Sequence, residues 1–336
     1  MARTVPPGPF RVRPSDDRLS WTGRVLFEDG IARFDWPGVS LSFRFRGSSF
    51  TLDLSDGNND YRLELDGRPL EPWRTRPGET GRTFGGLSAG EHAIRLSKRT
   101  EASYGVASFG GVLFPAGAEL LSPPPPSERR IEFVGDSLAC GYGVEGNDPQ
   151  CPGCRALEDV HLSYAGLTAA ALRADARYIA WSGKGVLRNY GDPASRSTQT
   201  LPDLHPRTLA GRPEPREDPS GWIPHLVVLQ CGGNDFSTEP RPDLIDWAGA
   251  YSAFALRLLT RYPDVRLLCV SSAEVPKRGI EAAIEEVRSR SGQAVPLVRW
   301  DKRNIRELGC DYHPGASAQR QMAEPVLGAV RDLMGW

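Results

Sequence analysis

The amino-acid sequence predicts a two-domain protein, an all-β antiparallel sandwich followed by an α/β domain with a parallel sheet. Three observations carry this prediction. The 336 residues exceed what one hydrophobic core usually serves. Four consecutive prolines at 123–126 enter neither helix nor central strand and favour a short stiff spacer. Period-2 patterns precede the prolines, and alternating strand and helix patterns follow them. We therefore expect domains at 1–122 and 130–336, joined by a linker at 123–129.

The first domain contains short runs in which apolar and polar residues alternate. Glycine, aspartate and asparagine turns separate these runs, as is typical of an antiparallel sandwich. The clearest of them are VSLSFRFRG, SFTLDLSDG, YRLELDG and EHAIRLSKR.

The second domain alternates apolar strand candidates with helix candidates, which predicts a parallel sheet covered by helices on both faces. The strand candidates are IEFV, RYIAW, HLVVLQC, VRLLCV and VPLVRW. The helix candidates lie around 163–176, 243–262, 279–290 and 317–334. The segment 192–222 is rich in proline, arginine and aspartate, and we expect it to be a long surface loop.

Composition excludes several classes of partner. A formal net charge of -1 gives no general attraction for nucleic acid or for an anionic membrane surface. No stretch reaches the ~18 apolar residues that span a bilayer. The residues after Met1 lack the apolar region of a signal peptide, which favours a cytoplasmic location. No feature of the sequence indicates an oligomeric state.

The six cysteines include one CxxC, formed by Cys151 and Cys154. It supplies only half of a four-ligand zinc site, and no second CxxC or CxxH supplies the rest. A local disulfide or free thiols are therefore favoured over a metal.

Ser137 follows a buried strand candidate, at the end of a parallel strand where ligands bind. On this stretch alone, a nucleophile and a helix cap are equally good interpretations of the serine. Two further strand candidates end in polar, glycine-containing loops, Ser182–Gly185 and Gly232–Asp235. Because three such loops converge on one sheet edge, we favour an active site for acyl transfer by serine.

A serine nucleophile needs a base, and His313 is the best-placed histidine. It follows the last strand candidate and precedes the final helix, so its loop opens on the edge where Ser137 lies. Asp311 stands two positions earlier, and in an extended segment alternate side chains share a face. Asp311 is thus a candidate to orient the imidazole, with a main-chain carbonyl as the alternative.

These blocks resemble the SGNH (GDSL-like) hydrolases, and more closely carbohydrate esterase family two, the two-domain acetyl esterases. The resemblance rests on RRIEFVGDSLACGYG, on SYAGLTAAALRADARYIAWSGKGVLRNYGD, on LVVLQCGGNDFS and GCDYHP, and on SKRTEASYG in the β half. It implies a jelly-roll-like sandwich, with a carbohydrate-binding or active-site-wall role, joined to a three-layer, flavodoxin-like SGNH domain.

The resemblance also implies roles for individual residues. Ser137 would be the nucleophile and His313 the general base and then acid. The oxyanion donors would be the backbone N–H groups of Ser137 and Gly183 and the Asn234 amide, with Gly185 competing for the middle position. The usual acid of the superfamily stands three residues before the histidine, where this chain has Cys310. The family-two pattern places the aspartate nearer, at Asp311, and some members have no working acid.

The function that follows is a serine esterase that removes O-acetyl groups from carbohydrates without a metal or organic cofactor. Five aromatic residues lie near the motif loops, where their rings could stack on sugar rings: Tyr142, Trp181, Tyr190, Trp222 and Tyr312. Of these we select Tyr142, Trp181 and Tyr312 as the candidates. One alternative is an esterase or thioesterase for other acyl groups. Another is a non-catalytic carbohydrate-binding protein in which the β half does the binding.

Overall fold

The computed structural model describes residues 8–153, 155–262, 264–301 and 305–336. The chain divides into two compact units, Met1–Pro126 and Ser127–Trp336. The first contains antiparallel sheets and the second a parallel sheet with helices, so the predicted fold class is confirmed.

The first unit holds two antiparallel sheets. One has the strand order β10-β6-β12-β4-β3, with β1 beside β12, and the other has the order β13-β5-β11-β7-β8, with β2 beside β5 and β9 beside β7. The strands are β1 (Phe10–Val12), β2 (Ser20–Thr22), β3 (Leu26–Glu28), β4 (Ile31–Phe34), β5 (Ser40–Gly47), β6 (Phe50–Ser55), β7 (Asp60–Leu65), β8 (Arg68–Pro69), β9 (Trp73–Arg74), β10 (Arg82–Phe84), β11 (Gly90–Lys98), β12 (Ala107–Phe114) and β13 (Glu119–Leu120).

The two sheets pack face to face through aromatic side chains. Phe43 of β5 meets Phe50 of β6 and Phe114 of β12 edge to face, with ring centroids 5.5 and 6.1 Å apart. All three rings are almost completely buried. This packing explains the alternation of apolar and polar residues that predicted the strands. Successive side chains of a strand point to opposite faces, and only one face meets the other sheet.

The second unit is built on a five-stranded parallel sheet of order β15-β14-β16-β17-β18. Its strands are β14 (Arg130–Gly135), β15 (Asp175–Ala180), β16 (Leu226–Gln230), β17 (Arg266–Ser271) and β18 (Leu297–Arg299). Its helices are α1 (Ser137–Cys140), α2 (Tyr164–Ala171), α3 (Leu201–Leu204), α4 (Gly233–Phe236), α5 (Leu244–Arg261), α6 (Lys277–Ser291) and α7 (Ala316–Met334). The strand order reverses beside β14, and in open sheets such a switch point opens a crevice for ligands.

Helices cover both faces of this sheet. α2 and α7 pack on the face that carries Phe133 and Val228. Tyr262, which follows α5, bonds the carboxylate of Glu132 on the opposite face of β14. The central strands are therefore apolar almost throughout, as the sequence pattern indicated. Within the described ranges, no helix combines the length and the apolar character needed to cross a bilayer.

The segment 192–222 is not simply a surface loop, so that prediction was wrong. It contains α3, whose start has a capping box between Thr200 and Asp203. His205 follows α3, is buried, and lies 2.7 Å from a Glu132 carboxylate oxygen through its Nε2. The prolines and charges of the segment obscured a short apolar pattern that anchors it to the core.

Candidate active site

Ser137 begins α1 directly after β14, and its side chain is nearly buried at 8% exposure. Asp136 caps this helix, because its carboxylate accepts the N–H of Leu138 at 3.1 Å. The cap role that competed for the serine thus belongs to its neighbour. As the first residue of a helix, Ser137 has a backbone N–H without an intrahelical acceptor.

His313 approaches Ser137 from the far end of the unit. Its Nε2 lies 2.9 Å from Ser137 Oγ, and its Nδ1 lies 2.7 Å from the main-chain oxygen of Asp311. A carbonyl only accepts, so Nδ1 carries the proton and Nε2 presents a lone pair to the hydroxyl. The Tyr142 ring packs edge-on against the imidazole, with centroids 4.7 Å apart.

The Asp311 carboxylate does not take the position that the extended-segment argument gave it. Residues 310–312 form a 3-10 turn, and Asp311 has φ 50°, so alternate side chains do not share a face. The carboxylate instead accepts a hydrogen bond from the Tyr142 hydroxyl at 3.3 Å. Asp311 reaches the imidazole through its backbone, which was the alternative interpretation.

The two other polar loops meet Ser137 around one cavity of about 800 Å³. Gly183 and Asn234 both line it. The Asn234 amide donates one hydrogen to the Lys184 carbonyl at 3.0 Å, and its second hydrogen is available to a ligand. Gly185 does not line this cavity, and its N–H donates to the Asn189 side chain at 3.1 Å. Gly183 is therefore the better candidate for the middle oxyanion donor.

Asp235 braces the loop that carries Gly183. Its buried carboxylate accepts the N–H groups of Val186, Leu187 and Arg188 at 3.0, 2.7 and 2.8 Å. Burial raises the pKa of Asp235, and these three bonds oppose that rise because they favour the charged form. The residue next to Asn234 thus fixes the neighbouring loop.

The predicted aromatic residues divide into two groups. Tyr312 lines the cavity and is 64% exposed, whereas Tyr142 lines it with a ring that packs on His313. Trp181 is not among the described cavity residues, and the Lys184 ammonium lies over its ring at 5.2 Å. Trp181 directly follows β15, and its role in stacking on a sugar ring stays a prediction.

Two further aromatic residues line the cavity, Tyr190, which the sequence analysis named near the motif loops, and Trp300, which it did not name. Tyr190 is 60% exposed, and Trp300 forms part of the wall with an indole N–H that donates to the Met322 carbonyl. Trp300 directly follows β18, so the strand-end rule that selected Ser137 would have found it.

The cysteines are arranged differently from the predicted local disulfide. Cys151 is bonded to Cys310, with Cα atoms 5.1 Å apart. Cys154 lies outside the described residues. No group of three or more His, Cys, Asp or Glu side chains within the described ranges is placed to hold a metal ion.

Asp136 is a buried carboxyl group beside the serine. Burial raises its pKa to about 7, repulsion from Glu274 and Asp235 adds to the rise, and hydrogen bonds from Leu138 and Gln230 oppose it. The Gln230 amide lies 3.1 Å from its second oxygen.

Two family models match the chain. "Carbohydrate esterase 2 N-terminal" matches residues 21–124, and "GDSL-like Lipase/Acylhydrolase family" matches residues 133–324. A cellulase/esterase CelE of Acetivibrio thermocellus is 32% identical over 96% of this chain, which spans 40% of that relative's length. An acetylxylan esterase / glucomannan deacetylase of Cellvibrio japonicus is 28% identical over 93% of this chain and 90% of its own.

A solved structure is similar over nearly its whole length. It is a family two carbohydrate esterase from Clostridium thermocellum in complex with cellohexaose, 32% identical, with a TM-score of 0.84. The match covers 95% of this chain and 99% of that one.

Replacing the Asp311 carboxylate should change the rate little. Asp311→Asn removes the charge and keeps both the backbone carbonyl and an acceptor for Tyr142, and asparagine tolerates positive φ. We expect kcat on nitrophenyl acetate within about threefold of wild type, whereas loss of a working triad carboxylate costs about 10⁴-fold. A drop of a thousandfold or more would assign the acid role to the carboxylate.

Weakening the Asp235 brace should slow the reaction. Asp235→Asn turns an NH₂ group toward a backbone N–H donor, a buried mismatch of about 1–3 kcal/mol. We expect kcat to fall about tenfold or more because the Gly183 loop shifts. Asp243→Asn is the matched control, since Asp243 also accepts backbone N–H groups, but at the exposed start of α5. Equal rates in both variants would contradict the brace.

The raised pKa of Asp136 makes stability depend on pH. Between its ordinary value of 3.8 and about 7, the folded protein keeps a proton that the unfolded chain has released, so stability falls as pH rises through this window. Asp136→Asn carries no such proton and still caps the helix. We expect the Tm of the variant, relative to wild type, to rise from about pH 4 to about pH 7.5 in calorimetry. A pH-independent difference would contradict the shift.

Proposed function

Because this chain belongs to the family two carbohydrate esterases, we propose that it is a serine esterase that removes O-acetyl groups from carbohydrates. The observation that carries the proposal is the 2.9 Å contact between Ser137 Oγ and His313 Nε2, at a cavity that Gly183 and Asn234 also line. Nucleophile, base and amide donors thereby surround one space where an ester carbonyl fits.

The first half of the reaction forms an acetyl-enzyme. Ser137 Oγ attacks the carbonyl carbon as its proton passes to His313 Nε2. The imidazolium that forms is held by the Asp311 carbonyl at Nδ1, whose dipole points its negative end at the ring. His313 then protonates the sugar oxygen, and the deacetylated alcohol leaves.

The second half releases acetate. A water molecule gives a proton to the neutral Nε2 and attacks the acetyl carbonyl, and His313 returns the proton to Ser137 Oγ. Both tetrahedral intermediates carry an oxyanion. We assign its donors to the backbone N–H groups of Ser137 and Gly183 and to the Asn234 amide, and the presence of all three residues in the cavity lining supports this assignment. No step needs a metal or an organic cofactor.

The carbohydrate is proposed to enter past Tyr190 and Tyr312. Both rings line the cavity and are more than half exposed, which suits stacking on the apolar faces of sugar rings. The names of the relatives, acetylxylan esterase / glucomannan deacetylase, support acetylated β-linked polysaccharides or their oligosaccharides as substrates. The cellohexaose bound in a similar structure supports recognition of a glucan-type chain.

The proposal predicts acetate release that depends on Ser137. Wild type should release acetate from acetylated xylan, acetylated glucomannan and nitrophenyl acetate. Ser137→Ala should lose at least about a thousandfold in kcat because no nucleophile remains. Asn234→Ala should lose about a hundredfold in kcat with little change in KM, because its bond forms to the oxyanion. Acetate assays with initial rates provide both values.

Ser291→Ala is the matched control, because Ser291 lies at the end of α6, where its hydroxyl donates to the Val287 carbonyl and accepts the Gln293 N–H, and it does not line the cavity. It should keep wild-type rates. An active Ser137→Ala variant would refute the nucleophile. Preference for long acyl chains would move the function to another class of ester, and glycan binding without any turnover would indicate a binding protein.

A further inference from the structure

The loop that carries His313 is hydrogen-bonded along its backbone to residues 143–152. Three successive backbone N–H groups of the loop donate to carbonyls of that segment. Cys310 donates to Gly143 at 2.9 Å, Asp311 to Cys151 at 2.9 Å, and Tyr312 to Pro149 at 3.1 Å. The histidine loop is thus paired residue by residue with a second loop rather than with the sheet.

A covalent bond joins the same two segments. Cys151 and Cys310 form a disulfide across 159 residues of sequence. Cys310 is fully buried and Cys151 is half-buried. Cys310 immediately precedes Asp311, whose carbonyl holds the imidazole, and it stands three positions before His313. The cross-link therefore acts next to the group that orients the base.

The backbone between the disulfide and the histidine needs such support. Asp311 and Tyr312 both have positive φ, at 50° and 55°. Two consecutive non-glycine residues in this region are uncommon and persist only when the surrounding structure holds them. The segments also approach closely, because a Cβ at Gly146 would lie 2.5 Å from Cys310 N. A small shift of the 143–152 segment would therefore move the Asp311 carbonyl.

We propose that the Cys151–Cys310 disulfide is a positioning element for His313 and that its reduction slows the hydrolytic reaction. The proposal rests on the proposed function of the site. A dithiol reduces the bond in two exchange steps: a thiolate attacks the accessible Cys151 sulfur, Cys310 leaves as a thiolate, and the second thiol of the reagent then displaces Cys151. Two electrons pass to the protein, which gains two thiols, and the reagent becomes a cyclic disulfide.

Reduction leaves only noncovalent contacts between the two segments, so the Asp311 carbonyl spends less time at Nδ1. The imidazole then samples ring orientations in which Nε2 does not face Ser137. Disulfides persist in oxidising compartments, so the site would be fastest there and slower in a reducing cytosol. A purely stabilising disulfide would instead lower Tm and leave the rate of each folded molecule unchanged.

The test compares Cys151→Ser, Cys310→Ser and the double variant with wild type. All of them carry Cys154→Ser, which removes the other cysteine of the CxxC so that Cys151 is the only cysteine of that motif. Active sites are titrated with an organophosphonate, so that kcat refers to folded, reactive molecules. We expect each variant to lose about tenfold or more in kcat with KM changed less, and the double variant to equal the single ones.

Dithiothreitol should slow the oxidised parent to the same level, leave the three variants unaffected, and be reversed by glutathione disulfide. Unchanged kcat per titrated site in all variants, with only Tm lowered, would overturn the proposal. A slow Cys310→Ser beside a normal Cys151→Ser would also overturn it, since packing of Cys310 and not the bond would then set the rate.

Amide hydrogen exchange provides a readout that does not depend on turnover. Opening the bond should speed exchange at Cys310, Asp311 and Tyr312 about tenfold or more, with β16 amides as the internal control. Faster exchange in a protein that hydrolyses no ester would support the proposal that the disulfide holds the histidine loop, and would refute the proposed function. Unchanged exchange in an active protein would refute the proposal that the disulfide holds the histidine loop, and would not contradict the proposed function.

Discussion

The contact between Ser137 Oγ and His313 Nε2 is the constraint on which the second unit depends. It joins residues 176 positions apart, so it requires a fold that brings the start of α1 and the loop before α7 together. Ser137 follows the strand beside which the order reverses, and His313 lies in the loop directly before α7. The apolar strands, the covering helices and the close approach of the loops all serve to bring one hydroxyl and one imidazole within 2.9 Å.

The imidazole is oriented by a dipole rather than by a charge. A carbonyl at Nδ1 fixes the tautomer as well as a carboxylate does, but it stabilises the imidazolium less. It also belongs to the backbone, so its position depends on the turn geometry of residues 310–312. The position of the group that orients the imidazole is therefore fixed by the segments that hold this turn, and not by a side-chain rotamer.

The sequence allowed prediction of every central strand and long helix of the second unit, because buried parallel strands leave short continuous apolar runs and the helices between them leave longer mixed segments. It also indicated which strand ends carry Ser137, Gly183, Asn234 and His313, since topology alone brings such ends together. Two local features escaped it. The positive φ of Asp311 turns its carboxylate away from the face that an extended segment would give it. The partner of Cys151 is Cys310, which a contact between two loops brings close across 159 residues of sequence. Neither leaves a periodic trace in the sequence.

Two carboxyl groups of the site are buried, and their burial costs the folded protein stability. Asp136 caps the helix that begins with Ser137, and Asp235 holds the loop of Gly183, and burial raises the pKa of both. Keeping such groups inside the protein costs desolvation free energy, which their hydrogen bonds offset only in part. Each carboxylate, however, fixes backbone N–H groups beside the reacting atoms, and no apolar side chain does that. The stability that these two positions cost is therefore accompanied by a fixed geometry of backbone groups beside the oxyanion.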